Sequence, residues 1–130
     1  MSRLALQVCT AVLALIPIAT GIVTLLGLKD PIYRSLNLPP APILDSNLRF
    51  FGGVWLGLGL AMLWLVPSIE RQGVLFRALW VAVFLGGVGR VLSWVRLGAP
   101  PAPFIGFTLL ELVGAPLFMY WQYLVARAAA

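Results

Sequence analysis

Residues 45–62 read DSNLRFFGGVWLGLGLAM. Asp45, Ser46 and Asn47 come first, and Arg49 stands just before an apolar run. Short polar side chains of this kind suit a helix start, where backbone N–H groups lack partners. From Phe50 to Val66 no residue is charged. A helix needs roughly 17–25 apolar residues to cross the hydrocarbon core of a bilayer. The stretch also carries Gly52, Gly53, Gly57 and Gly59. Arg49, Gly53, Gly57 and Ala61 are spaced by four and share one helical face. Gly53 and Gly57 form a GxxxG pair, which in an apolar helix marks close packing. The expectation is a membrane-spanning helix with a polar mouth and a glycine face turned to a neighbouring span.

The composition of the whole chain agrees. Of 130 residues, 62% are hydrophobic and 10% charged, and the mean hydropathy is +1.01. Soluble domains carry roughly 25% charged residues, and a small soluble domain leaves much of its surface in water. The chain is therefore expected to be an integral membrane protein with one all-α domain, a four-helix bundle with short loops. The net charge is +5, but the nine Lys and Arg stand one or two at a time between apolar runs. A phosphate-tracking surface needs them clustered, so nucleic-acid binding is excluded. Cys9 is the lone cysteine and there is no histidine. That removes an intrachain disulfide and a CxxC redox pair, and it leaves no soft metal site and no His-ligated haem. No cofactor and no metal are expected.

The remaining runs give three more spans. Leu4 to Leu28 is uncharged, longer than the roughly 7–15 apolar residues of a signal-peptide core. In it Gln7, Thr10, Ala14, Pro17, Gly21 and Thr24 recur at steps of three and four, a stripe of small and polar residues suited to a bundle interior. Pro17 is expected to kink the helix. Residues 29–44, KDPIYRSLNLPPAPIL, hold four prolines and break the helix. Asp30-Pro31 suits a short helical turn, and the segment reads as a connector or as a lid. After the turn PSIERQG (67–73), the third span carries GGVGR (86–90), with Gly86, Arg90, Ser93 and Leu97 on one face. After GAPPAP (98–103), the fourth carries Thr108, Glu111, Ala115, Phe118 and Gln122 on one face. The expected spans are 4–28, 48–66, 75–97 and 104–126.

Depth gathers the charges. Arg90 lies eight residues before Gly98, and Glu111 eight after Pro103. Each is thus about 12 Å along its helix from the turn that joins them. They are expected to pair, with bidentate geometry. An arginine inside a span costs roughly 2.5–3.5 kcal/mol near its centre, so such residues face the interior and have a partner. Asp45, Asn47 and Arg49 enter from the same side, and Ser93, Trp94 and Arg96 join them. The candidate ligand-binding set is Asp45, Asn47, Arg49, Arg90, Ser93, Trp94 and Glu111. Gly53, Gly57 and Gly86 are the candidate packing glycines. The plain structural alternative is a buried pair that only sets helix register.

The stretches LDSNLRFFGGVWLGLGL, GGVGRVLS and ELVGAP resemble a family of uncharacterised bacterial membrane proteins, catalogued as a domain of unknown function. The matching residues are Asp45, Asn47, Arg49, Gly52, Gly53, Gly86, Gly87, Gly89, Arg90, Ser93, Glu111 and Pro116. The four-span layout is more distantly similar to DoxX-like proteins. The resemblance implies a multi-pass protein of the bacterial inner membrane and carries no catalytic residue with it.

Three functions compete. A binding or accessory protein would hold a membrane lipid, a quinone or another hydrophobic or amphiphilic ligand at the polar mouth, alone, as a homodimer or in a larger membrane complex. A small dimeric transporter would use Glu111 as its membrane acid, but a paired acid is ill suited to proton exchange. A membrane enzyme is ranked last: no Ser–His–Asp set, free carboxylate pair or metal set is present, and an arginine beside a carboxylate favours a fixed charge. Orientation is left open. Arg3, Arg71, Arg77 and Arg127 fall on one side and Lys29, Arg34, Arg49 and Arg96 on the other, so the positive-inside rule has no bias to read.

Overall fold

A computed structural model describes residues 2–130. These are all-α, with no strand among the described residues. The helices are α1 (Arg3–Thr24), α2 (Pro31–Arg34), α3 (Pro42–Leu65), α4 (Gly73–Leu97), α5 (Ala102–Leu109) and α6 (Ala115–Ala129). A π-helical turn, Leu110–Gly114, joins α5 to α6 without a break. Four segments are long and apolar enough to cross a membrane: Arg3–Thr24, Pro42–Ser68, Gly73–Leu97 and Ala102–Ala129. That is the make-up of a multi-pass membrane protein.

One boundary and one internal turn depart from the sequence reading for reasons of local chemistry. α3 begins at Pro42, not at the polar trio 45–47, and no side chain caps it. Proline suits a first helical position, where its missing N–H has no acceptor to lose. The π turn falls just before Pro116. A proline ring crowds the carbonyl four residues back and offers it no N–H, and a widened turn relieves both. α1, by contrast, stays helical through Pro17.

The chain forms two compact units, Val8–Val66 and a second made of the described residues up to Gln7 with Pro67–Ala130. In the first, α1 and α3 run antiparallel and touch through glycine. A Cβ built on Gly21 would lie 2.6 Å from the Leu56 nitrogen, and one on Gly59 2.7 Å from Ile18 Cγ1. The stripe read in α1 is the packed one: Thr10, Ala14, Pro17 and Gly21 are buried, and Gln7 and Thr24 half-buried. On α3 the buried positions are Leu48, Gly52, Gly59, Met62 and Leu65. This corrects the expectation for Gly53 and Gly57. A Cβ on Gly53 would meet only Leu25 Cδ2 at 3.8 Å, and one on Gly57 nothing within 4 Å. Gly52 and Gly59, seven apart, lie two turns along one face and take the close approach instead. Trp55 adds a polar tie, its Nε1 donating to Thr20 Oγ1 at 2.8 Å.

In the second unit α4 runs antiparallel to α5 and α6. Trp80 stacks on Phe118 with ring centroids 4.7 Å apart, a pairing that adds about 0.5–1.5 kcal/mol beyond area burial. Gln122, fully buried, donates to the Ile69 carbonyl at 3.0 Å. The face read in the fourth span is the packed one, with Thr108, Glu111, Ala115 and Gln122 buried and Phe118 half-buried. The packing glycine of α4 is Gly87, where a Cβ would sit 2.9 Å from Glu111 Cβ. Gly86, the expected one, is exposed with nothing within 4 Å of its Cβ position.

Candidate functional site

Each unit holds one polar cluster. In the first, Asp45 sits one turn into α3 and reaches back to the end of α1. Its Oδ1 accepts the Leu28 N–H at 2.8 Å and its Oδ2 accepts Arg49 Nε at 2.7 Å. Arg49 Nη1 and Nη2 donate to the carbonyls of Leu25 and Leu26 at 2.9 and 3.2 Å. Leu25 and Leu26 just follow the end of α1, where carbonyls run short of helical donors; Arg49 supplies one to Leu25 and joins the Lys29 N–H at Leu26. Gly27 makes this possible. Its φ of +63° suits glycine, and a Cβ there would run into the Asp45 carboxylate. Every polar edge of this cluster thus serves the junction between α1 and α3. Asn47, its expected neighbour, is exposed, and its side chain has no hydrogen bond among the described residues. Nearby, Asp30 is 2% exposed and caps α2, accepting the Ile32 N–H at 2.9 Å. The Asp-Pro pair marked that turn; the burial of the carboxylate had no sequence signal.

In the second unit Arg90 and Glu111 meet as depth required, but not as a two-pronged pair. Arg90 Nε alone donates to both carboxylate oxygens, at 2.8 Å to Oε2 and 3.1 Å to Oε1. The Glu111 side chain is 8% exposed and that of Arg90 35%. Glu111 lies in the π turn, a feature frequent at functional sites. Gly87, one turn before Arg90 on α4, brings the two backbones close enough for the pair to form. Phe104 covers one face of the guanidinium, its centroid 5.6 Å from Cζ, a favourable placement for a cation over a ring. Among the described residues nothing accepts from Nη1 or Nη2. Ser93 and Trp94 follow Arg90 by three and four residues, on the same side of α4 and one turn nearer its end. Both are exposed, and no described residue is bonded to either side chain. Arg96 is exposed as well.

The other end of this unit holds a third ion pair. Arg3 Nε donates to Glu70 Oε2 at 2.8 Å and Arg3 Nη2 to the Pro67 carbonyl at 2.8 Å. Glu70 lies outside the apolar spans, and its carboxyl is held below the ordinary value of 4.5, first by its own backbone N–H and then by Arg3. Among the described residues no three His, Cys, Asp or Glu side chains gather in a metal-holding group.

The family model described as "Domain of unknown function (DUF4345)" matches residues 5–122. The chain belongs to this family. No curated protein matches it, and no solved structure does. The matched span takes in both polar clusters, the second and third apolar segments whole, and most of the first and fourth. The family description names no activity, so chemistry must come from the residues. Asp45 and Arg49 hold a helix junction together, whereas Arg90 keeps donors to spare.

Proposed function

We propose that this member of the family is a membrane binding protein that holds the polar head of an amphiphile, a lipid or a quinone, at Arg90. One observation carries the reading. Arg90 lies within an apolar span, is tethered by a single nitrogen to Glu111, and has two further nitrogens with no acceptor among the described residues. Hydrocarbon offers nothing to accept from them, and an ionisable residue within a span is a candidate functional site. Ser93 and Trp94 extend the donor face outward, and Glu111 holds the guanidinium in place. The single mouth expected from span topology, with Asp45, Asn47 and Arg49 added, is not needed for this reading. In the finer form of the proposal the chain is a DoxX-like four-span protein of a bacterial inner membrane, acting alone or as a homodimer.

Native mass spectrometry of the protein purified in mild detergent tests it. Wild type is expected to retain a copurified amphiphile that is lost from an Arg90→Gln/Glu111→Gln double variant, in which amides replace both charges. A wild-type protein that carries no amphiphile, and takes none up from added lipid or quinone, overturns the proposal. Transport by Glu111 is the weaker reading, because the carboxylate is already engaged by Arg90.

A further inference from the structure

The inference deepens the binding reading above and rests on it. A guanidinium has five N–H donors, one on Nε and two on each Nη. In Arg90 the Nε donor is spent on Glu111, and the edge formed by Nη1 and Nη2 is open. That edge carries two parallel N–H bonds, which fit two oxygens on one atom. A ketone or quinone carbonyl offers a single oxygen, which both N–H bonds would have to share at poorer angles.

Charge narrows the class. Arg90 and Glu111 sum to zero across a 2.8 Å contact. A ligand with one negative charge leaves the site at a net −1, and one with two leaves it at −2, a larger uncompensated charge inside the membrane. Position narrows it further. Arg90 is seven residues from Leu97, about 10 Å of helix, and Trp94, an interfacial residue type, lies between them. Phe104 closes one face of the guanidinium, so the open edge is the approach. Ser93 Oγ and Trp94 Nε1 stand one turn further out as extra donors for ester or hydroxyl oxygens.

We infer that the Arg90 edge takes a singly charged head group with two equivalent oxygens on one atom, carried by an amphiphile. Two sources share this chemistry: the phosphodiester of a phospholipid and the carboxylate of a fatty acid.

The test titrates the 130-residue protein in detergent with five probes, read by native mass spectrometry. They are dioleoylphosphatidylglycerol, oleate, dioleoylphosphatidic acid, dioleoylglycerol and a short-chain ubiquinone, with inorganic phosphate as a competitor. Phosphatidylglycerol or oleate is expected to bind about tenfold more tightly than dioleoylglycerol or ubiquinone, the difference one charged hydrogen bond makes. Whichever of the two binds more tightly identifies the source. Arg90→Lys keeps the charge and loses the fork, and is expected to lower that affinity about tenfold. Ser93→Ala, one turn from Arg90 and not bonded to the ion pair, is expected to weaken it severalfold at an unchanged melting temperature. Should Arg90→Lys not fold, Ser93→Ala and the Arg90→Gln/Glu111→Gln double variant carry the comparison. Ubiquinone or dioleoylglycerol binding as tightly, in an Arg90-dependent way, overturns the head-group class and leaves the binding reading intact. Phosphatidic acid exceeding phosphatidylglycerol overturns the single-charge argument. Inorganic phosphate displacing the lipid at equal concentration, or no probe depending on Arg90, overturns both.

Discussion

Gly21 and Gly52 meet backbone to backbone: a Cβ on either would lie 2.9 Å from the carbonyl oxygen of the other. No side chain at this crossing can move aside, so α1 and α3 would have to part. Gly52→Ala is expected to cost about 1–3 kcal/mol as an overpacked contact. Gly57→Ala, five residues on and facing open space within its unit, is expected to gain up to about 1 kcal/mol of helix propensity. Thermal unfolding of the two variants in one detergent reads the contrast. Equal melting temperatures would mean that α3 packs on its other face.

The Arg90–Glu111 pair offers a second comparison. Glu111→Gln leaves a cation facing an amide inside a span and is expected to cost about 1.5–3 kcal/mol, the worth of a hydrogen bond to a charged group. Arg90→Gln alone strands the buried carboxylate and is expected to cost at least as much. The double variant removes both charges, so its loss should fall short of the sum of the single ones. A double-mutant cycle by chemical denaturation measures that coupling. Strict additivity would show that the contact contributes nothing.

Asp45 holds the end of α1 through the Leu28 N–H and through Arg49. Asp45→Ala is expected to speed hydrogen exchange at Leu28 and to release Arg49 from the Leu25 and Leu26 carbonyls. The melting temperature is expected to fall, because the half-buried Leu28 N–H loses its acceptor. Gly27→Ala should be worse, since it adds a left-handed backbone penalty of about 1–2 kcal/mol to a collision with the same carboxylate. Exchange at Leu28 as slow in Asp45→Ala as in wild type would remove Asp45 from this role.

Glu70 gives a pH dependence outside the spans. Its carboxyl is held below the ordinary value of 4.5 in the folded chain, by its own backbone N–H and by Arg3. A depressed folded value means that the unfolded state binds the proton more readily. The stabilisation is therefore complete above pH 4.5 and is lost as pH falls through the lower folded value. Melting temperatures between pH 7 and pH 3 should drop more in wild type than in Glu70→Gln. Parallel curves would show that the Arg3 contact does not count.

How much of this was legible in the sequence differs from helix to helix. The stripe from Gln7 to Thr24 and the stripe from Thr108 to Gln122 read correctly. In each, small or polar residues mark the packed side and large aliphatic ones the other, so composition distinguishes the two sides. α3 misled because it carries glycines on adjacent positions, 52 beside 53. α4 misled in the same way, with Gly86 beside Gly87. One residue turns a helix by about 100°, and spacing alone does not say which glycine of a neighbouring pair faces the partner.

Span number, span order and the depth match between Arg90 and Glu111 were determined by the sequence itself. They rest on quantities that add along the chain: apolar length against the thickness of hydrocarbon, and a fixed rise per residue from a shared turn. The choice of Gly52 and Gly87, the use of Nε rather than the fork of Arg90, and the turning of Asp45 from a helix cap into a clasp were decided by tertiary structure alone. Each depends on the rotation of one helix about its axis against another. That rotation is set by whether two backbones can touch, a condition that involves residues far apart in the chain and leaves no local pattern.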